Sequence, residues 1–243
     1  MVFCLIELKK LDFWKRAVEA ISAFIPEGNF RFSEKGIYFK ALDPSQIVLV
    51  DYFVDKKVFD KYDIEPNFVG IDLVEFNKIM QRAMPMDKLS MDISDAELKL
   101  KLESDLKRNF RLPLIDVSEG EIKTPETKYD ADVIVSSMHF KELLRDAALF
   151  GSSVVLKISG GKFIVEARGS QGAMDSETLG KIAKVNSKKD VTCKFSLNFL
   201  QNIIREADND KTIKIELKND GAMRVEYAIG ESTIVFYLAH MIL

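Results

Sequence analysis

The sequence predicts an α+β protein of two similar domains, each with two helices packed on antiparallel sheet. Three observations predict that class. Four segments carry helical apolar spacing, the stretches between them alternate apolar and charged residues, and both halves of the chain repeat one order of segments.

The first helix is carried by Trp14, Ala17, Val18, Ile21, Phe24 and Ile25, which recur at steps of three and four, and Pro26 closes the run. Leu73, Phe76, Ile79, Met80 and Ala83 make the second, with Asp72 at the N-cap, Glu75 as its reciprocal carboxylate and Pro85 as the stop. The third stripe is Phe140, Leu143, Leu144 and Ala147, behind the capping candidates Ser136 and Ser137 and ahead of Gly151. Leu197, Leu200, Ile203, Ile204 and Ala207 form the last, behind Ser196.

Between the helices, ELKLKLE (97–103), NFRLPL (109–114), TIKIELK (212–218) and MRVEYAI (223–229) alternate as half-buried strands do. IVLVDYFV (47–54) is more continuously apolar, as expected of a strand covered on both faces. Turn signals stand at residues 34–36, 160–161 and 219–221. The second half copies the first, a duplication whose unit of about 120 residues far exceeds a solenoid repeat. Residues 115–128, IDVSEGEIKTPETK, hold acids, Gly, Pro and Thr without periodicity. They are expected to form an exposed connector between a domain of residues 1–114 and one of residues 129–243.

Composition narrows the function classes. With 47% hydrophobic and 30% charged residues, the chain is an ordinary globular one. The apolar start MVFCLIELKK is too short for a signal-peptide core, and no stretch approaches the ~20 apolar residues that span a bilayer, so no membrane partner is expected. Cys4 and Cys193 lie far apart without His partners, which reads as two half-buried thiols in a reducing compartment. His139 and His240 stand apart from any carboxylate pair, and the nucleophile-elbow, P-loop and dinucleotide motifs are missing. Asp116, Glu119 and Glu121 cluster on the connector, where a solvated acidic loop outweighs a metal site. No catalysis, metal or cofactor is expected.

The polar sides of the four helices carry the functional signal. They hold Lys15, Arg16, Glu19 and Ser22 on the first; Glu75, Lys78, Gln81 and Arg82 on the second; Lys141, Glu142 and Arg145 on the third; Asn198, Gln201 and Arg205 on the fourth. One such face alone is an ordinary solvated surface. Four on one surface would gather seven cations, with three acids beside them, in a chain of net charge -3. Such a surface attracts the phosphates of duplex DNA through counterion release without reading bases.

Three segments then point to a family. EKGIYFKALDPSQIVLVD (34–51), NFRLPLIDVSEGEI (109–122) and FYLA (236–239) resemble, in order, segments of the PCNA-type (proliferating cell nuclear antigen) DNA sliding clamps, including archaeal members. The resemblance implies the DNA clamp fold, in which three two-domain crescents close head-to-tail into a ring. It implies a processivity factor that encircles double-stranded DNA, with Lys15, Arg16, Lys78, Arg82, Lys141, Arg145 and Arg205 facing it. It also implies that DNA polymerase, clamp loader, flap nuclease and DNA ligase dock through short peptides. Their pocket would be lined by Leu42, Ile47, Leu49, Val117, Ile122, Tyr237 and Leu238, with Gln46 and Ala239 at the rim.

An intracellular protein follows, with the nucleoid in an archaeon or in the nucleus of a eukaryote. Two departures stand out. His240 follows the terminal motif where the family has Pro, and residues 169–190 are rich in Gly, Ser and charge where the family expects an alternating inter-subunit strand, the partner of residues 105–114 in the neighbouring subunit. Homotrimer and heterotrimer with sister subunits both stay open. So do a checkpoint-type clamp subunit and a protein-interaction scaffold that never encircles DNA.

Overall fold

A computed structural model gives the fold and describes residues 4–94, 96–117 and 122–242. The chain divides into two compact units. The first runs to Gln46, resumes over Val50–Lys123 and takes Ile229–Ile234 from near the C-terminus; the second holds Ile47–Leu49, Thr124–Ala228 and the chain from Val235.

In the first unit the order is β1 (Cys4–Leu8), α1 (Asp12–Ser22), β2 (Glu27–Ser33), β3 (Gly36–Leu42), β4 (Val48–Asp55), β5 (Lys61–Ile64), β6 (Asn67–Asp72), α2 (Leu73–Gln81), β7 (Lys88–Ile93), β8 (Glu97–Glu103) and β9 (Lys107–Pro113). Two runs of paired strands result, β5-β1-β7-β8-β9 and β4-β3-β2-β6. The second unit has β10 (Ala131–Ser136), α3 (Ser137–Ala147), β11 (Ser153–Ser159), β12 (Lys162–Gly169), β13 (Gly172–Glu177), β14 (Ala183–Ser187), β15 (Val191–Ser196), α4 (Leu197–Ile204), β16 (Thr212–Leu217), β17 (Met223–Ile229) and β18 (Ser232–Leu238). Its runs are β14-β10-β16-β17-β18 and β13-β12-β11-β15. Strand for strand and helix for helix, the second unit repeats the first.

Each helix pair touches strands of both runs in its own unit. α2 packs on β2, β6 and β9, and α3 on β10, β11 and β12. The expected single sheet under each pair is therefore two. In the first unit the buried stripe of α1 brings Trp14 into an aromatic cluster, with ring centroids 6.0 Å from Phe30, 6.1 Å from Phe59 and 6.5 Å from Phe76. In the second, Phe140 of α3 meets Phe163 of β12 at 5.9 Å over a core that includes Leu144, Phe195 and Leu200.

Several local expectations change. Helix α1 stops at Ser22, before Pro26, and the amides of Phe24 and Ile25 both donate to the Ile21 carbonyl in a tight exit turn. Asp72 caps α2 by accepting from the Glu75 amide at 3.0 Å, but the Glu75 carboxylate takes the Lys78 ammonium at 2.6 Å instead of reaching back. Ser136 and Ser196 make no side-chain cap. The first amides of α2, α3 and α4 donate to the carbonyls of Pro26, Lys211 and Ser152 at 2.9–3.0 Å. The Ser136 hydroxyl is left to His139 Nδ1 at 2.9 Å.

Strand β4 is covered on both faces only at Val48–Val50, and from Asp51 onward it alternates buried and half-buried residues. Residues 169–190 contain two strands with different partners, β13 beside β12 and β14 beside β10. Cys4 and Cys193 are buried rather than half-buried, and burial pushes their thiols up to about 12 and about 11, so both stay protonated at neutral pH. Among the described residues, no helix is long and apolar enough to cross a membrane.

Candidate functional site

Two surfaces hold the residues singled out by the sequence. The first comprises the polar faces of the helix pairs. Burial of Phe13, Trp14, Ala17, Val18, Ala20 and Ile21 leaves Lys15 and Arg16 half-buried at the rim of α1. Lys78, Arg82, Arg145 and Arg205 are exposed.

Most of these cations meet a carboxylate on their own helix or next to it. Arg16 lies 3.6 Å from Asp12, Lys78 pairs with Glu75, Arg145 with Glu142, and Arg205 lies 3.2 Å from Glu206. Asp12 and Glu206 thus join the three acids counted from the sequence, and the faces are less basic than the seven cations suggest. Exposed ion pairs are worth about 0–1 kcal/mol, so a phosphate can replace the carboxylate at little cost. Lys15 and Arg82 have no ion pair among the described residues.

Lys141 differs from the other six. It is half-buried, and its ammonium donates to the Ala207 carbonyl at 2.6 Å and to Asn209 Oδ1 at 3.0 Å. Its charge braces α3 against the end of α4. The glutamines also turn inward: Gln81 bonds Glu19 on α1 at 2.8 Å, and Gln201 bonds the Leu144 carbonyl on α3 at 3.1 Å. The duplication therefore extends to how each pair is stitched.

The second surface is a groove of about 1070 Å³ on the outer face of β2 and β3 in the first unit, with Leu42, Val117 and Ile122 among its lining. Leu42 and Ile122 are 41% and 37% exposed, so the groove offers apolar side chains to a partner. The chain after β9 is laid down tightly there. The Ile115 amide donates to the Gly70 carbonyl at 3.0 Å, and Asn29 Nδ2 holds the Val117 carbonyl at 3.0 Å. Gly70 allows this approach, because a Cβ there would lie 2.1 Å from the Ile115 oxygen.

The Asp-Pro-Ser segment also has a physical role. Buried Asp43 accepts from the Ser45 amide at 3.1 Å and from its hydroxyl, and its carbonyl takes the Gln46 amide at 2.8 Å. That turn leaves Gln46 exposed at φ +59°. In the second unit Ile47 is half-buried and its carbonyl accepts from the amide of exposed Ala239 at 2.9 Å. Leu49 and Leu238 correct the expected lining. They are 4% and 0% exposed, so they belong to the core and offer little or no surface.

Tyr237 is nearly buried, and the Arg224 guanidinium, 6.0 Å from its ring centroid, also binds Glu216 and Glu226. Burial alone would lower the Arg224 pKa, but hydrogen bonds to Tyr237, Glu226 and Glu216 raise it instead. At the departure from the family ending, exposed His240 is followed by Met241, whose amide donates to the Lys194 carbonyl at 2.8 Å. Asp116 is exposed; Glu119 and Glu121 lie outside the described residues.

Comparison with known proteins decides the family. The N-terminal domain model of proliferating cell nuclear antigen matches residues 5–119, and its C-terminal domain model matches residues 123–242. The chain belongs to the proliferating cell nuclear antigen family. Relatives include the DNA polymerase sliding clamp of Methanococcus maripaludis, 31% identical over 93% of this chain and 94% of that one. DNA polymerase sliding clamp 1 of Thermococcus kodakarensis is 29% identical over 91% and 92%. The fold is that of PCNA from the same archaeon, with a TM-score of 0.92 at 22% identity over 98% of this chain and all of the other. PCNA of Entamoeba histolytica gives 0.90 at 22% over all of both chains.

Sequence reasoning missed Asp12 and Glu206, which lie at helix ends outside the stripes, and Asn29, whose partner is 88 residues away. It also missed Arg31, which lies with its guanidinium carbon 4.4 Å from the Phe68 ring centroid at the far end of the groove. The alternation EGNFRFS in β2 was the available signal, since it puts Glu27, Asn29 and Arg31 on the open face.

Proposed function

We propose that this chain is one subunit of a sliding clamp, a closed ring around duplex DNA that tethers DNA polymerase and other replication and repair enzymes and performs no catalysis itself. The family match over both domains and the shared name of the relatives, DNA polymerase sliding clamp, support this reading. The observation that carries it is the duplicated helix pair. Each unit buries one stripe of its helices in its own core and leaves the side bearing Lys and Arg toward solvent.

In a ring these faces line the hole. A closed ring is retained by topology, so weak attraction to phosphates is enough, and exchangeable ion pairs let the DNA slide. Closure requires free sheet edges. β9 and β13 each end a run of strands, and both are open to a second copy among the described residues. Head-to-tail pairing of β13 with the β9 of a neighbour, repeated at a third of a turn, closes a trimer. Residues 115–128 serve as the connector. Short peptides of the polymerase, clamp loader, flap nuclease and ligase dock in the groove at Leu42, Val117 and Ile122.

Solution mass by light scattering tests the ring. A stable species near 83 kDa, three times the 27.6 kDa chain, is expected of a homotrimer. A monomer that reaches that mass only with sister chains makes it a heterotrimer subunit. A chain that stays single under every such condition would refute closure.

A further inference from the structure

The groove of the first unit continues past its apolar residues to an end of different chemistry. On the outer face of β2 and β3, Arg31 stands opposite Tyr38 in register and opposite Phe68 on the neighbouring β6. The Arg31 guanidinium lies over the Phe68 ring, and Phe68 is itself 47% exposed. Tyr38 packs against Phe53 with tilted rings whose centroids are 4.5 Å apart. Arg31 is exposed and has no carboxylate partner among the described residues, whereas the groove's other cation, Lys40, holds Asp51 at 3.2 Å.

A guanidinium held over an aromatic ring is partly immobilised already and keeps N–H donors free at little further entropic cost, which suits a carboxylate. The acid of the groove that could compete, Glu27, is four residues down the same strand, about 13 Å away at ~3.3 Å per residue. Leu42 is likewise four residues along β3 from Tyr38, so the same spacing separates this basic end from the apolar end.

We propose that Arg31, presented on Phe68, is a specificity residue for partner peptides that carry an Asp or Glu about four extended residues from their apolar anchor. The proposal rests on the peptide-docking reading above and adds to it a charge preference. Peptides with a basic residue at that position are disfavoured, because the guanidinium repels them and no carboxylate beside Arg31 offsets it.

The test uses fluorescein-labelled synthetic peptides that share one anchor of an aliphatic and two aromatic side chains. They carry Glu, Gln or Lys four residues from it, on the N-terminal side in one set and the C-terminal side in the other. Fluorescence anisotropy with the full chain is expected to rank Glu over Gln over Lys in one of the two sets, by about three- to five-fold per step, as for an exposed charge pair. Arg31→Gln should flatten the ranking and Arg31→Glu should invert it. Equal binding of all three peptides in both sets, or a ranking unchanged in Arg31→Glu, overturns the charge preference but leaves docking intact. If no peptide binds, including the neutral one, docking in this groove fails and the preference with it.

Discussion

Replacing Lys15 and Arg82 together with glutamate should reduce loader-dependent primer extension at physiological salt by about ten-fold or more. These two are the helix-face cations without an ion pair among the described residues. Neither supports the core, since Lys15 is at the rim of α1 and Arg82 is exposed just past α2. Each reversal changes the local charge by two, and in the proposed ring three copies multiply the effect. Fold and subunit mass should therefore remain as they are. Extension should not recover as salt is lowered, because the two new carboxylates leave these faces with more acids than cations, and their repulsion of phosphate is then screened less. An extension rate identical to that of the parent protein across the whole salt range would separate these faces from DNA.

The second large effect concerns stability. Asp87 is fully buried and accepts from the Met84 amide and the Ser104 hydroxyl, each at 2.7 Å, and from the Arg108 guanidinium. Arg108 in turn donates to the Arg82 carbonyl at 2.8 Å. One carboxylate thereby ties the turn after α2 to the β8–β9 hairpin, whose outer strand is the edge assigned to ring closure. Asp87→Ala leaves the Met84 amide without its acceptor and the mostly buried guanidinium with only the Arg82 carbonyl, and should cost about 3 kcal/mol of unfolding free energy.

The pH dependence has a definite sign. Burial by itself would raise the Asp87 pKa, but the bonds from Met84, Ser104 and Arg108 outweigh it and hold the carboxyl below its usual range. A depressed carboxyl stabilises the fold above its unfolded pKa, about 3.9, and that contribution disappears as pH falls through the lower folded value. Urea unfolding at pH 7 and pH 3 should accordingly show a large gap between parent and variant at the first and a smaller one at the second. An Asp87→Ala protein within about 0.5 kcal/mol of the parent at pH 7 would contradict this role.

The legible part of the fold was what periodicity records. Four apolar stripes, alternating strands and the repeated order placed both helix pairs, because Trp14, Phe76, Phe140 and Leu200 must be buried whatever else happens. Caps were less legible. Ser136 and Ser196 occupy the right positions yet make no side-chain cap, while the first amides of both helices find backbone carbonyls from distant segments, and such partners leave no local trace. The candidate sites divide in the same way. Lys78 and Arg145 could be read off a helix face, while the bracing role of Lys141 depends on a carbonyl 66 residues away. Leu49 and Leu238 match family segments, but only burial distinguishes a core side chain from one that lines a pocket.

Retention on DNA of two topologies tests the ring most directly. The protein is incubated with the proposed clamp loader and a nicked circular duplex, and bound protein is separated by gel filtration in moderate salt. It should co-elute with the intact circle and be lost when a single-site endonuclease linearises it, because an annulus runs off a free end. Equal retention on circle and linear DNA, or on neither, would contradict encirclement and leave the helix faces as ordinary solvated surface.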